Sequence, residues 1–231
     1  MSSEYEEVRI LLRALCGKVI ECKEPLNAQA IGDALFGIMC IDSSCMDIWN
    51  EIFFSSAVSS LFKSVEVLQL VDSRETMLML IQRLALVSHF MKYRSSDTLK
   101  HLNRIKEFYK VDEGCRRPIV KPSRAEVKYS KSIRKILKDH GKDYDVQVNE
   151  FLHEDFEADV VIRAGSKYYN IEIDGPSHRN PVKKRFAAFR DKYLEEKHGI
   201  SIGRIDVMRE GKNMSSDQLV EECLKKLRLV G

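Results

Sequence analysis

The chain has no C-x-x-C pair, and none of its six cysteines, at positions 16, 22, 40, 45, 115 and 223, has a histidine at ligand spacing. Structural zinc sites and dithiol redox motifs need such spacing, so neither is supported and the cysteines are expected as reduced thiols. Cys16 and Cys40 sit in apolar helical runs, where a free thiol behaves as a small hydrophobe. No uninterrupted apolar stretch approaches the roughly 18 residues of a membrane helix, because Asp47, Glu51 and Lys63 interrupt or bound the most apolar region. A basic leader is missing as well. Glu4, Glu6 and Glu7 are wrong for a secretory n-region and for an acid-poor transit peptide, which points to a cytoplasmic site of action. Large net charge is also absent: the balance is +3 over 231 residues. A sequence-blind polyanion binder is normally far more basic, so any nucleic-acid contact is expected to be local.

What the chain does have is enough apolar content, 44% of residues, to bury the core of one or two domains. Few β signals occur in the first 110 residues. Helical periodicity predicts spans near 3–17, 27–41, 43–62, 73–93 and 97–109. Ile31, Ala34, Leu35 and Ile38 trace one apolar face, and Leu78, Ile81, Leu84, Ala85 and Ser88 another, as expected of helices packed on one another. No clean period runs through the region, so an ordinary bundle and a helical-pair array both remain open. Gly, two Pro and mixed charge without periodicity mark residues 111–122 as a linker.

From 123 to 231 the pattern changes. Ser123-Arg-Ala-Glu126 is a capping box opening a helix to about His140. A strand near Tyr144 to Asn149, a β-hairpin, a helix from Pro181, a strand near Ile200 to Val207 and a final helix from Ser216 to Arg228 follow. The expected architecture is α+β overall: an all-α, repeat-like N-terminal domain (1–110) and an α/β domain with a mixed sheet. Residues 121–231 hold 23 Lys plus Arg against 19 Asp plus Glu, and the first 120 hold 15 against 16.

The hairpin carries the chemistry. Gly165-Ser166 is a two-residue loop suited to a type II′ turn, which fixes the register. Ile162 then faces Tyr169, Val160 faces Ile171 and Ala158 faces Ile173, all on one apolar side. The other side sets Arg163 opposite Tyr168, Val161 opposite Asn170 and Asp159 opposite Glu172, with Asp174 one pleat beyond. Opposed carboxylates destabilise unless neutralised by a divalent cation, a shared proton, or Arg and Lys arriving from elsewhere in the fold. Magnesium prefers such oxygen ligands. Glu126 equally serves as the capping residue of its helix, and Asp174-Gly175 also suits the start of a turn. His178 is a candidate proton shuttle and equally a plain surface imidazole.

After the acids come Arg179, Lys183, Lys184, Arg185, Arg190 and Lys192, with Phe186 and Phe189 among them. Cations with aromatic rings suit single-stranded nucleic acid, phosphates pairing with charge and bases stacking on rings. The aromatics also fit, with Tyr193 and Leu194, an apolar stripe facing the sheet, which is the favoured reading for them.

NIEIDGPSHRNP followed by FAAFRDKYLEEKHG and a short RID strand resembles the RAP domain, an RNA-binding module. That domain is in turn similar to the PD-(D/E)XK nuclease fold, including the very-short-patch repair endonucleases. The likeness covers residues 123 to about 230. It implies a restriction-endonuclease-like domain in which Glu126, Asp159 and Glu172 would hold Mg²⁺, with Gln147 at a position where many relatives carry Gln. Where most of these nucleases have a Lys two residues beyond the second strand acid, Asp174 stands here, as in the repair-endonuclease branch. A carboxylate cannot offset charge at an attacked phosphate, so hydrolysis would borrow a cation from Arg179, Lys183 or His178, or use a second metal. LNAQAIGDALFGI resembles the start of an octotricopeptide or heptatricopeptide repeat, a unit often found upstream of RAP domains. The resemblance implies binding of single-stranded RNA in RNA processing, stability or translation, with a Mg²⁺-dependent endonuclease as the alternative. Many RAP relatives are organellar.

Overall fold

The computed structural model describes residues 3–23, 26–39, 60, 74–90, 121–153, 156–176, 180–210 and 214–231. The chain divides into two compact units, Met1–Glu113 and Gly114–Gly231. The expected helices at 43–62 (Ser60, helical, excepted) and 97–109, and linker residues 111–120, lie outside the described residues.

The first unit contains α1 (Ser3–Glu21), α2 (Ala28–Met39) and α3 (Arg74–Phe90). Asn27 accepts the Ala30 N–H at 2.8 Å and so satisfies a donor that the first turn of α2 leaves open. α2 packs against α3, and Ile31, Phe36, Leu80, Ile81, Leu84 and Ala85 are buried. Arg83 crosses to α2, where it pairs with Asp33 and sits 5.5 Å from the Phe36 ring centre. Gly32 makes room for it, since a Cβ there would meet Arg83 Cδ at 3.2 Å.

The second unit runs α4 (Arg124–Asp139), β1 (Asp145–Leu152), β2 (Phe156–Ala164), β3 (Lys167–Asp174), α5 (Pro181–His198), β4 (Ser201–Asp206), a 3₁₀ turn (Val207–Arg209) and α6 (Ser216–Lys226). It is a mixed α+β fold on a four-stranded sheet of order β1-β2-β3-β4, antiparallel except for the β3–β4 pair. Local chemistry sets the helix ends. Ser123 Oγ accepts the Glu126 N–H at 3.2 Å while Glu126 Oε2 accepts the Ser123 N–H at 2.9 Å, the reciprocal cap expected of this tetrapeptide. Asn180 caps α5, Pro181 takes its first turn, and Gly199, at φ 65°, ends it. Ser215 and Gln218 form a second capping box on α6.

The turn imposes the anticipated register: Gly165 has φ 64°, Ser166 does not have positive φ, and Ala164–Lys167, Ile162–Tyr169 and Val160–Ile171 are paired. Val160, Ile162, Ile171 and Ile173 join Tyr129, Ile133 and Leu137 of α4 and Leu219, Val220 and Leu224 of α6 in one core. Burying each such side chain contributes about 1.5–3 kcal/mol relative to exposing it. Alternation along β3 and β4 sends Glu172 and Arg204 to the opposite face, which α5 covers. No described helix is long and apolar enough to cross a membrane.

Candidate functional site

Asp159 interrupts the sheet on both sides. The β2–β3 pairing ends at Val160–Ile171, and the β1–β2 ladder omits the Asn149–Asp159 position, where Asn149 takes φ 52°. The expected Asp159–Glu172 and Ala158–Ile173 pairs are therefore replaced. Asp159 Oδ2 accepts the Ile173 N–H at 2.7 Å, a side chain standing in for the backbone carbonyl of a regular ladder.

Glu172 is 2% exposed, so the acid face is a buried polar layer under α5 rather than a solvated one. A buried carboxylate must be paired. Arg190 Nη2 of α5 lies 2.6 Å from Glu172 Oε2, and Asn170 Nδ2 donates to Glu172 Oε1 at 2.8 Å. Arg190 also contacts Asp191 at 3.0 Å. Burial alone would lower its pKa, but the charges of Glu172 and Asp191 hold it raised. Of the three ways to neutralise the acids, a cation from another element serves Glu172.

Asp159 carries the complementary consequence. Its burial, then the charge of Glu172, push its pKa up to about 7 against the lowering effect of the Ile173 N–H. Glu126 adds a smaller raising effect, although it belongs to another helix and is committed to its cap. Glu157, two residues before Asp159 on β2, is raised by its burial and by the charges of Glu126 and Glu172. Four carboxylates thus share one electrostatic neighbourhood. Glu157 was not singled out from the sequence, yet its position on the Asp159 face of β2 was available to identify it.

The acids implied as magnesium ligands are already engaged in this arrangement. Both Glu126 oxygens are held by Ser123, both Glu172 oxygens by Asn170 and Arg190, and Asp159 Oδ2 by the backbone. Among the described residues no group of three His, Cys, Asp or Glu is disposed to hold a metal ion. Gln147 donates to Asp145 Oδ1 at 2.7 Å.

Beyond the acids, the C-terminal ends of β3 and β4 border a cleft of about 390 Å³ lined by Asp174, Lys184, Ala187, Asp191, Arg204 and Asp206. Open α/β sheets commonly place sites at this edge. Arg204 bridges the cleft, at 2.8 Å from Asp174 Oδ1 and 2.5 Å from Asp191 Oδ2, and its pKa is raised because those two carboxylates outweigh its desolvation. The sequence motif contained Arg204 without marking its role.

α5 separates its cations along its length. Arg190 points into the acid layer, whereas Lys183, Lys184 and Arg185 are exposed on the first turns. Tyr193 and Leu194 are buried and Phe186 and Phe189 half-buried, in keeping with a stripe against the sheet. His178 and Arg179 lie outside the described residues. Comparison with protein-family models, curated proteins and solved structures returns no significant match.

Proposed function

We propose that the chain is a RAP-type RNA-binding protein whose second unit, an endonuclease-like α/β module, holds the backbone of single-stranded RNA on the first turns of α5. The observation that carries this reading is the division of charge on α5: Arg190 is spent on Glu172, while Lys183, Lys184 and Arg185 face outward. The acid cluster then anchors the helix, and the exposed cations, next to the polar cleft, bind phosphate. Succession of helix, three antiparallel strands, helix and parallel fourth strand supports the endonuclease-like assignment, and the α2–α3 pair supports a repeat-like first unit that contributes a helical surface to the same RNA. Binding needs no ionised triad. Hydrolysis would require Asp159 and Glu172 to exchange their present partners for metal. The test is to incubate labelled single-stranded RNA with the protein and with Asp159→Ala, with and without Mg²⁺ or Mn²⁺. Salt-sensitive binding without cleavage is expected; metal-dependent cleavage lost in the variant would establish the endonuclease instead.

A further inference from the structure

Much of the positive charge of residues 121–231 lies outside both the acid cluster and α5. Residues 121–142 carry eight Lys plus Arg against two acids, +6, and residues 143–231 carry fifteen against seventeen, −2. The two spans account for the whole +4 of residues 121–231.

Within α4 the six cations Arg124, Lys128, Lys131, Arg134, Lys135 and Lys138 fall, at 100° per residue, within an arc of about 120°. All six are exposed, and the opposite side of the helix buries Tyr129, Ile133, Ile136 and Leu137 in the core. Three serve the fold: Lys128 pairs with Glu210, Lys135 with Asp217 at 3.0 Å, and Arg134 donates to the Val146 carbonyl at 2.7 Å. Arg124, Lys131 and Lys138 have no partner among the described residues. Spaced seven residues apart, they form a row roughly 21 Å long. Within that arc α4 itself contributes no acid, whereas a merely solvating face mixes both signs along one helix.

We infer that the outer face of α4 is a second nucleic-acid surface, one that takes the phosphate backbone of double-stranded RNA. Charge complementarity selects a polyanion, and the lack of an exposed aromatic among the described residues of α4 removes the stacking that single strands exploit. A duplex hides its bases and presents two charged backbones, which suits lysines and arginines alone. Attachment to an anionic membrane is disfavoured because the apolar side of α4 is already consumed by the core and cannot enter lipid. α4 and α5 lie on opposite faces of the sheet, so one folded RNA can offer a stem to the first and a loop to the second. Only the choice of RNA over DNA rests on the function proposed above.

The experiment measures anisotropy of a blunt RNA duplex, the same duplex in DNA, and single-stranded RNA over a salt series. It compares the full chain with Arg124→Gln/Lys131→Gln/Lys138→Gln and with Lys183→Gln/Lys184→Gln/Arg185→Gln, both matched to it by thermal melt. The α4 variant should lose affinity for duplex RNA, its log–log salt slope falling by about 3, while the α5 variant keeps duplex binding. A duplex affinity and slope unchanged in the α4 variant overturn the proposal, as does wild-type protein that binds phosphatidylserine vesicles but not duplex. Tighter binding to the DNA duplex overturns the choice of RNA. Single-strand binding left unchanged in the α5 variant would defeat the α5 reading and leave this one standing.

Discussion

Arg190 and Glu172 form an ion pair of 2.6 Å beneath α5, with side-chain exposures of 13% and 3%. Removing one partner strands a buried charge, which costs about 3–5 kcal/mol, far more than an exposed pair is worth. Arg190→Ala should therefore lower unfolding stability by that amount in urea titration, and Glu172→Gln/Arg190→Met should recover part of the loss. A deficit below about 1 kcal/mol in the single variant would show that the pair does not anchor α5.

Asp159 gives the second unit a distinctive pH dependence. Its folded pKa of about 7 lies above the unfolded carboxylate value near 3.9, so between these limits the folded state binds more protons. Stability from this group is therefore greatest at the acid end, declines as pH rises from about 4 to 7, and levels off above. Asp159→Asn retains an oxygen for the Ile173 N–H but cannot ionise. It should flatten that decline and raise stability at pH 8 by at most about 4 kcal/mol, measured by urea unfolding across pH. An unaltered pH profile would place the proton elsewhere.

These two residues also show what the sequence could reveal. Gly165-Ser166 dictated the pairing through Val160–Ile171, and Ser123, Glu126 and Pro181 marked helix starts that the structure reproduces within a residue. The break at Asp159 was not legible, because a side chain taking over a backbone acceptor leaves no trace in periodicity. Arg190 was grouped by composition with the exposed cations. Its spacing told otherwise: with Phe186, Phe189, Tyr193 and Leu194 it completes an i, i+3, i+4, i+7, i+8 face, so an arginine there was destined for the sheet. The α4 cations were legible individually, but their separation into paired and unpartnered rows depends on Glu210 and Asp217, more than 80 residues away.

Glu126 can be assigned to its cap by a conservative change. Glu126→Gln preserves the reciprocal hydrogen bonds with Ser123 and should alter stability by no more than about 0.5 kcal/mol, whereas Ser123→Ala should cost about 1 kcal/mol in thermal unfolding. Loss of RNA binding in the Gln variant would instead give the carboxylate a direct role.

Gly203 lets β4 approach α6. A Cβ there would lie 2.6 Å from Cys223 Sγ and 2.8 Å from Leu227 Cδ1, both distances below van der Waals contact. Gly203→Ala should destabilise by about 1–3 kcal/mol through overpacking. Neutral unfolding would show that the Cys223 and Leu227 side chains can yield.

The central claim is that the outward cations of α5, and not the acids beneath them, meet RNA. Its most direct test is the salt dependence of single-stranded RNA binding by the full chain and by Lys183→Gln/Lys184→Gln/Arg185→Gln. Weaker binding for every RNA sequence tried, with a salt slope reduced by about 2 to 3, is the predicted result. Unchanged affinity and slope in a folded variant would contradict it.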